Sequence, residues 1–196
     1  DFVTHEYAHG VVDHLRKMQD AYAPLATTIC YSVKACGNLH ILKLMAEQGS
    51  GFDIVSGGEL YRVLQVGADP ARIVYAGVGK TDEEIIQALQ ARIGYFNIES
   101  EQELENLNRL ARRHAPAAVK AALRVNPDID YQTHAYMTTG KKDTKFGVDI
   151  ERAVTVFETY GRQGPVRLCA IHVHLGTGGK TIDPYVSAVE KVLPLI

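Results

Sequence analysis

Short strand-like runs alternate with helical patterns along almost the whole chain, and this alternation restricts the fold more than any other feature. The strand-like runs lie near Thr27 to Lys34, Phe52 to Ser56, Arg72 to Ala76, Tyr95 to Glu99, Val119 to Val125 and Leu168 to Leu175. An amphipathic stretch from about Thr4 to Tyr22 precedes them, and between them come LHILKLMAEQG, GELYRVLQVG, TDEEIIQALQ and SEQELENLNRLARRH, with apolar residues at helical spacing. Ser100 and Glu103 have the spacing of a capping box, and Gly49 and Gly67 stand where helices should stop. Strands apolar on both faces that alternate with helices make a parallel sheet, because each crossover helix covers a face. A unit of roughly 20 to 25 residues without a dinucleotide-type glycine fingerprint favours a TIM-type (β/α)8 barrel over a doubly wound sheet. A closed barrel takes eight strands in about 250 residues. The 196-residue chain therefore reads as an α/β barrel truncated to about six βα units, one partial barrel domain over residues 1–196.

Composition narrows the function classes. With 46% hydrophobic residues and a formal net charge of -2, the chain can bury a large core and carries no basic surplus for nucleic acid. The longest apolar runs fall short of the roughly 20 residues that span a bilayer, and no charged-then-apolar leader opens the sequence, so the expectation is no membrane partner and a cytoplasmic location. Cys30 and Cys169 lie in strand-like runs and Cys36 beside a lysine. Their spacing suggests neither zinc nor a disulfide framework, and they read as packed thiols.

That lysine, Lys34, closes the first strand-like run in Tyr-Ser-Val-Lys-Ala. A sheet protein presents its reactive groups at such a βα mouth, and an amine in an apolar setting has its pKa lowered enough to act as a nucleophile. This is the environment of a Schiff-base lysine. A surface lysine that snorkels past a strand end has the same local sequence, and the pentapeptide alone does not separate the two.

Longer blocks do. YSVKACGNLHILKLMAEQG (Tyr31 to Gly49) is followed in order by GFDIVSGGEL from Gly51, AGVGKT from Ala76, FNIESEQEL from Phe96, LRVNPDID from Leu123, TGKKDTKFG from Thr139 and HVHLGTG from His172. On these blocks the chain resembles the pyridoxal-phosphate decarboxylases of the alanine-racemase-like barrel class, and among them the diaminopimelate decarboxylases most closely. Ser32 stands where that family usually has alanine or proline, and Cys36 and Gly37 where asparagine and serine are common. None of these departures removes a reactive group.

The resemblance implies pyridoxal 5'-phosphate as cofactor and Lys34 as the catalytic residue that carries it. It places His174 over the face of the cofactor ring, Gly176 and Thr177 in a turn near the phosphate, and Arg124 near the phenolic oxygen. It also implies that Asp53 influences the charge state of Lys34. The implied reaction is decarboxylation of a basic or diamino acid, first meso-diaminopimelate to L-lysine, with ornithine, arginine and carboxynorspermidine also open. Full-length members of the family are expected to be homodimers with shared sites. In them two further βα units and a β-rich domain follow, holding the glycine-rich phosphate loop and the carboxylate that pairs with the pyridine nitrogen. This chain accordingly reads as a fragment.

Between Asp128 and Val148 lies a connection of roughly twenty residues, a length that in compact domains is usually functional or disordered. It follows a strand's C-terminal end, the catalytic face of such barrels, so a substrate-covering role is expected. Three other motifs compete for a function. His5-Glu6-Tyr7-Ala8-His9 satisfies H-E-x-x-H, but it begins close to the start of the sequence and has no obvious third ligand downstream, so it reads as chance. Gly77-Val78-Gly79-Lys80-Thr81 looks like the end of a phosphate loop, yet position 74 is valine, and the segment is more simply a strand-to-helix turn. His172 and His174 lie two apart in a strand-like run, which would project both from one face as in barrel metal hydrolases. Such a hydrolase is the alternative from another class; against it, the H-x-H pair sits on the sixth strand where those enzymes usually carry it on the first, so no metal is expected. A module that binds pyridoxal phosphate without chemistry is the other alternative.

Overall fold

The computed structural model describes residues 2–129, 146–161, 164–176 and 181–195, with the side chains of the first helix described from residue 8. The chain divides into two compact units, Asp1–Ala76 with Lys80–Tyr95, and Gly77–Gly79 with Phe96–Ile196. Every strand pairing within them is parallel, and helices alternate with the strands.

The first unit opens with helix α1 (Phe2–Tyr22), followed by β1 (Cys30–Ser32), a 3-10 turn (Val33–Ala35), α2 (Leu39–Glu47), β2 (Gly51–Ile54), α3 (Gly57–Gln65), β3 (Ile73–Tyr75) and α4 (Asp82–Ala91). Strand β2 lies between β1 and β3, with Ser32 beside Asp53 and Asp53 beside Val74. Phe52, Ile54, Ile73 and Tyr75 are fully buried, as are Leu42, Val63 and Ala88 from the covering helices. Each large side chain so buried contributes about 1.5–3 kcal/mol. Gly49 and Gly67 stop their helices as the sequence predicts, at φ +76° and +79°. In both places the glycine N–H and the next N–H close back on the last turn, at Ala46 and Met45 and at Leu64 and Val63, which satisfies carbonyls that would otherwise be orphaned.

The second unit carries β4 (Tyr95–Ile98), α5 (Glu101–His114), β5 (Val119–Asn126), β6 (Val148–Asp149), α6 (Ile150–Tyr160), β7 (Val166–His172) and α7 (Asp183–Val192). Strand β5 is central: Phe96 to Ile98 run beside Ala121 to Leu123 on one side, and Val119 to Arg124 beside Val166 to His172 on the other. Seven of its eight residues are buried, Lys120 excepted, as a strand covered on both faces requires.

Four expectations need correcting. The six predicted strands are present, but a seventh, the two-residue β6, pairs with the end of β5 at Val125 and Asn126; two residues are too short for a periodicity to reveal. Strand β7 ends at His172, so His174 lies beyond it and the two-residue period no longer relates the two histidines. Ser100 caps α5 by accepting from Glu103 N–H, but Glu103 reaches back to the N–H of Glu99 and not to that of Ser100. The complete reciprocal box is at Thr81 and Glu84. Finally, Cys36 and Cys169 are exposed and only Cys30 is partly buried. Strand β7 alternates at its start, with Val166 and Leu168 buried and Arg167 and Cys169 exposed, which turns Cys169 outward.

Candidate active site

Lys34 sits in the middle of the 3-10 turn that follows β1, at the strand's C-terminal end. The turn is braced on both sides: the Tyr31 hydroxyl donates to the Cys36 carbonyl at 3.4 Å, and Arg62 Nη1 donates to the Gly37 carbonyl at 3.1 Å. Asn38 then caps α2 through the His40 N–H at 2.9 Å. Val33 points into the core and Lys34 outward. The amine is thus exposed and not enclosed by apolar groups, because the 3-10 turn rotates it off the strand face; it makes no ion pair or hydrogen bond among the described residues.

On the neighbouring strand, Asp53 accepts a hydrogen bond from the Ser32 hydroxyl at 2.9 Å. Ser32, a departure from the resembling family, is therefore one of the residues that hold this carboxylate. Asp53 also acts on Cys30, whose thiol is pushed above its usual range first by burial and then by the negative charge of Asp53, with Arg72 pulling the other way. That thiol stays protonated and unreactive at neutral pH.

In the second unit, Arg124 lies on β5 beside His172 of β7. Its Nη1 donates to both oxygens of Glu99, at 3.3 and 3.2 Å, and the two side chains are 8% and 2% exposed. The guanidinium carbon stands 4.9 Å from the centroid of the Phe146 ring. Phe146 is held in turn by Asn126 Nδ2, which donates to its carbonyl at 2.6 Å. The Nε–H of Arg124 is buried with no partner among the described residues. His172 and His174 are half-buried, and Gly176 follows at φ +121°. Thr177 and residues 130–145 of the long connection lie outside the described residues, as do the side chains of His5 and Glu6. Among the described residues no three His, Cys, Asp or Glu side chains gather as a metal site needs.

Sequence reasoning singled out Lys34, Asp53, Arg124, His174 and Gly176 and missed Glu99, Ser32, Phe146 and Asn126. Glu99 had a legible signal: like Asp53 it is an acid at a strand end, here directly before a helix cap. Asn126 and Phe146 each lie in a block of the family resemblance, but their contact had no local signal, since twenty residues separate them.

Each unit is a parallel α/β arrangement, the first with a lysine past its first strand and the second with a buried arginine on β5. The chain belongs to the pyridoxal-dependent decarboxylase, pyridoxal binding domain family, whose model matches residues 8–196. It is 48% identical over 167 residues to the diaminopimelate decarboxylase of Aquifex aeolicus, covering 85% of this chain and 40% of that one. To the Pseudomonas aeruginosa diaminopimelate decarboxylase it is 41% identical over 196 residues, 98% of this chain and 46% of the other. The crystal structure of Helicobacter pylori diaminopimelate decarboxylase complexed with L-lysine superposes with a TM-score of 0.92 at 35% identity, over 96% of this chain and 48% of that one. The fold is accordingly that of the TIM-type barrel of these enzymes, truncated, and the chain spans less than half the length of these relatives. No helix among the described residues is long and apolar enough to cross a membrane.

Proposed function

We propose that residues 1–196 are the cofactor-holding barrel part of a pyridoxal-phosphate-dependent carboxy-lyase that converts meso-diaminopimelate to L-lysine. The observation that carries this reading is Lys34: an amine just past the end of β1, exposed and unpaired among the described residues, in a chain of the pyridoxal-binding family. The substrate assignment rests on the relatives, which are named diaminopimelate decarboxylases.

The residues present suit the cofactor. Its aldehyde needs a free amine, which Lys34 offers, and its anionic oxygens need cationic or N–H donors, which the buried Arg124 offers through an Nε–H that nothing among the described residues engages. Bound there, pyridoxal phosphate supplies an electron sink for the electron pair left when the α-carboxylate departs. The chain's own residues do the rest. Lys34 holds the cofactor and exchanges a proton with the substrate amine. Asp53, oriented by Ser32, is a negative charge one strand away that favours the protonated, cationic form of nearby nitrogen. In this reading His174 would cover the ring face and Gly176 would stand by the phosphate, while Thr177, assigned to the same role, lies outside the described residues. The enzyme is further proposed to be a cytoplasmic homodimer.

The test is carbon dioxide release by the complete gene product from meso-diaminopimelate, ornithine, arginine and carboxynorspermidine in parallel. Turnover of meso-diaminopimelate at least about a hundredfold above the others in kcat/KM is expected, as a site built to pair polar groups rejects substrates lacking them. Preference for ornithine or arginine would move the substrate, and absence of turnover with tight cofactor binding would leave a binding module.

A further inference from the structure

We propose that Glu99 is a positioning residue for the cofactor, acting through Arg124. The proposal rests on the reading of the site as a pyridoxal-phosphate site and adds a residue to it.

Glu99 follows β4 directly, and its own N–H is held by the Glu103 carboxylate at 3.0 Å, so its backbone is fixed between a strand and a helix start. Its side chain accepts three hydrogen bonds: two from Arg124 Nη1 and one from the Gly77 N–H at 3.2 Å. A carboxylate 2% exposed with this set is a rigid anchor, since any rotation would strand a charge away from water. The guanidinium carbon of Arg124 also lies over the Phe146 ring, 4.9 Å from its centroid. Gly147 allows that approach, because a Cβ there, at φ +75°, would come within 2.8 Å of the Arg124 carbonyl oxygen and 2.9 Å of its Cγ.

The guanidinium is therefore held by a charge at one corner and lies over a ring, yet its Nε–H is left buried without an acceptor among the described residues. Buried donors are almost always satisfied, and an orphan on a rigidly held cation marks a place where an acceptor comes from outside the chain. An ion pair that served stability alone would spend all of its donors on protein groups. Glu99 does not itself need to touch the cofactor; it sets where the remaining donors of Arg124 lie and keeps them from collapsing onto other acceptors.

The experiment uses the complete gene product, stripped of cofactor and titrated with pyridoxal phosphate, in wild-type form and as Glu99→Gln and Glu99→Asp. Cofactor dissociation constants are measured with the pH titration of the cofactor's visible absorption band, and thermal unfolding of the cofactor-free protein monitors the fold. Glu99→Gln is expected to weaken cofactor binding about tenfold, the difference between a charge-assisted and a neutral hydrogen bond, and to displace the band titration. Glu99→Asp keeps the charge but withdraws the carboxylate, and should shift both readouts in the same direction by less. It also carries the test should Glu99→Gln fail to fold. Folded variants that lose thermal stability while binding cofactor as the wild type does, with an unmoved band, would overturn the proposal alone. A wild type that takes up no pyridoxal phosphate would overturn the underlying reading and the proposal with it.

Discussion

Lys34 has an ordinary immediate neighbourhood, and its proposed role rests on position: a 3-10 turn at a strand end, braced by Tyr31 and Arg62, that leaves its amine exposed and unpaired among the described residues. Borohydride reduction of the cofactor-loaded enzyme followed by peptide mass mapping should place the pyridoxyl group on Lys34; a label on Lys43, Lys80 or Lys145 would displace the assignment. Lys34→Ala should lower kcat by about two to four orders of magnitude, the range for losing a positioned catalytic group. The histidines of H-E-x-x-H and H-x-H belong to a different prediction. Dialysis against chelator should leave decarboxylation unchanged, and so should His5→Ala with His9→Ala; activity lost to chelator and restored by zinc would revive a metal hydrolase.

Helix starts and stops were the most legible elements, because caps and left-handed glycines act locally. Glu84 shows where locality ends. Within its box it binds the N–H of Thr81 at 3.0 Å, as the spacing suggests, but its other oxygen accepts from the N–H of Gly57 at 2.8 Å, at the start of α3. One carboxylate thus serves two helix N-termini. The Gly57 N–H, then the Thr81 N–H, hold its pKa below the ordinary value, with burial opposing. A carboxyl group whose folded pKa is depressed contributes stability that is present above its unfolded pKa and is lost as pH falls through the folded one. Glu84→Gln should therefore cost about 1–2 kcal/mol near neutral pH, typical of a lost cap, and make stability less steep in acid below about pH 4.5. Chemical denaturation at pH 7 and pH 4 checks both.

At the scale of the molecule, β7 has β5 as its one strand neighbour among the described residues. Beside it lies an open groove of about 390 Å³ lined by Phe157, Leu168, Cys169, Ala170, Ile171 and Leu195. Helix α7 and its end add Ile182, Val189 and Leu193, more than half exposed at helical spacing. Unpaired strand edges and contiguous apolar surface drive association. A polypeptide of residues 1–196 alone should therefore self-associate and lack decarboxylase activity, as read by size-exclusion chromatography with light scattering alongside carbon dioxide release. A monomer with the activity of the complete gene product would show that the site needs nothing further.

Alternation of strand and helix, the stops at Gly49 and Gly67, the cap at Ser100 and the place of Lys34 at a strand end were all determined by the sequence, because each depends on residues within one or two turns of one another. The family resemblance added which of those residues are proposed to serve a cofactor. What only the tertiary structure decided involves partners distant along the chain: Ser32 on Asp53, Glu99 on Arg124, Phe146 over the same guanidinium, and the two-residue β6 beside the end of β5. Strand register and the approach of one strand end to another set those contacts, and no local periodicity encodes them. The exposure of Lys34 and the outward turn of Cys169 follow the same rule, since burial is a property of what packs against a residue and not of the residue itself.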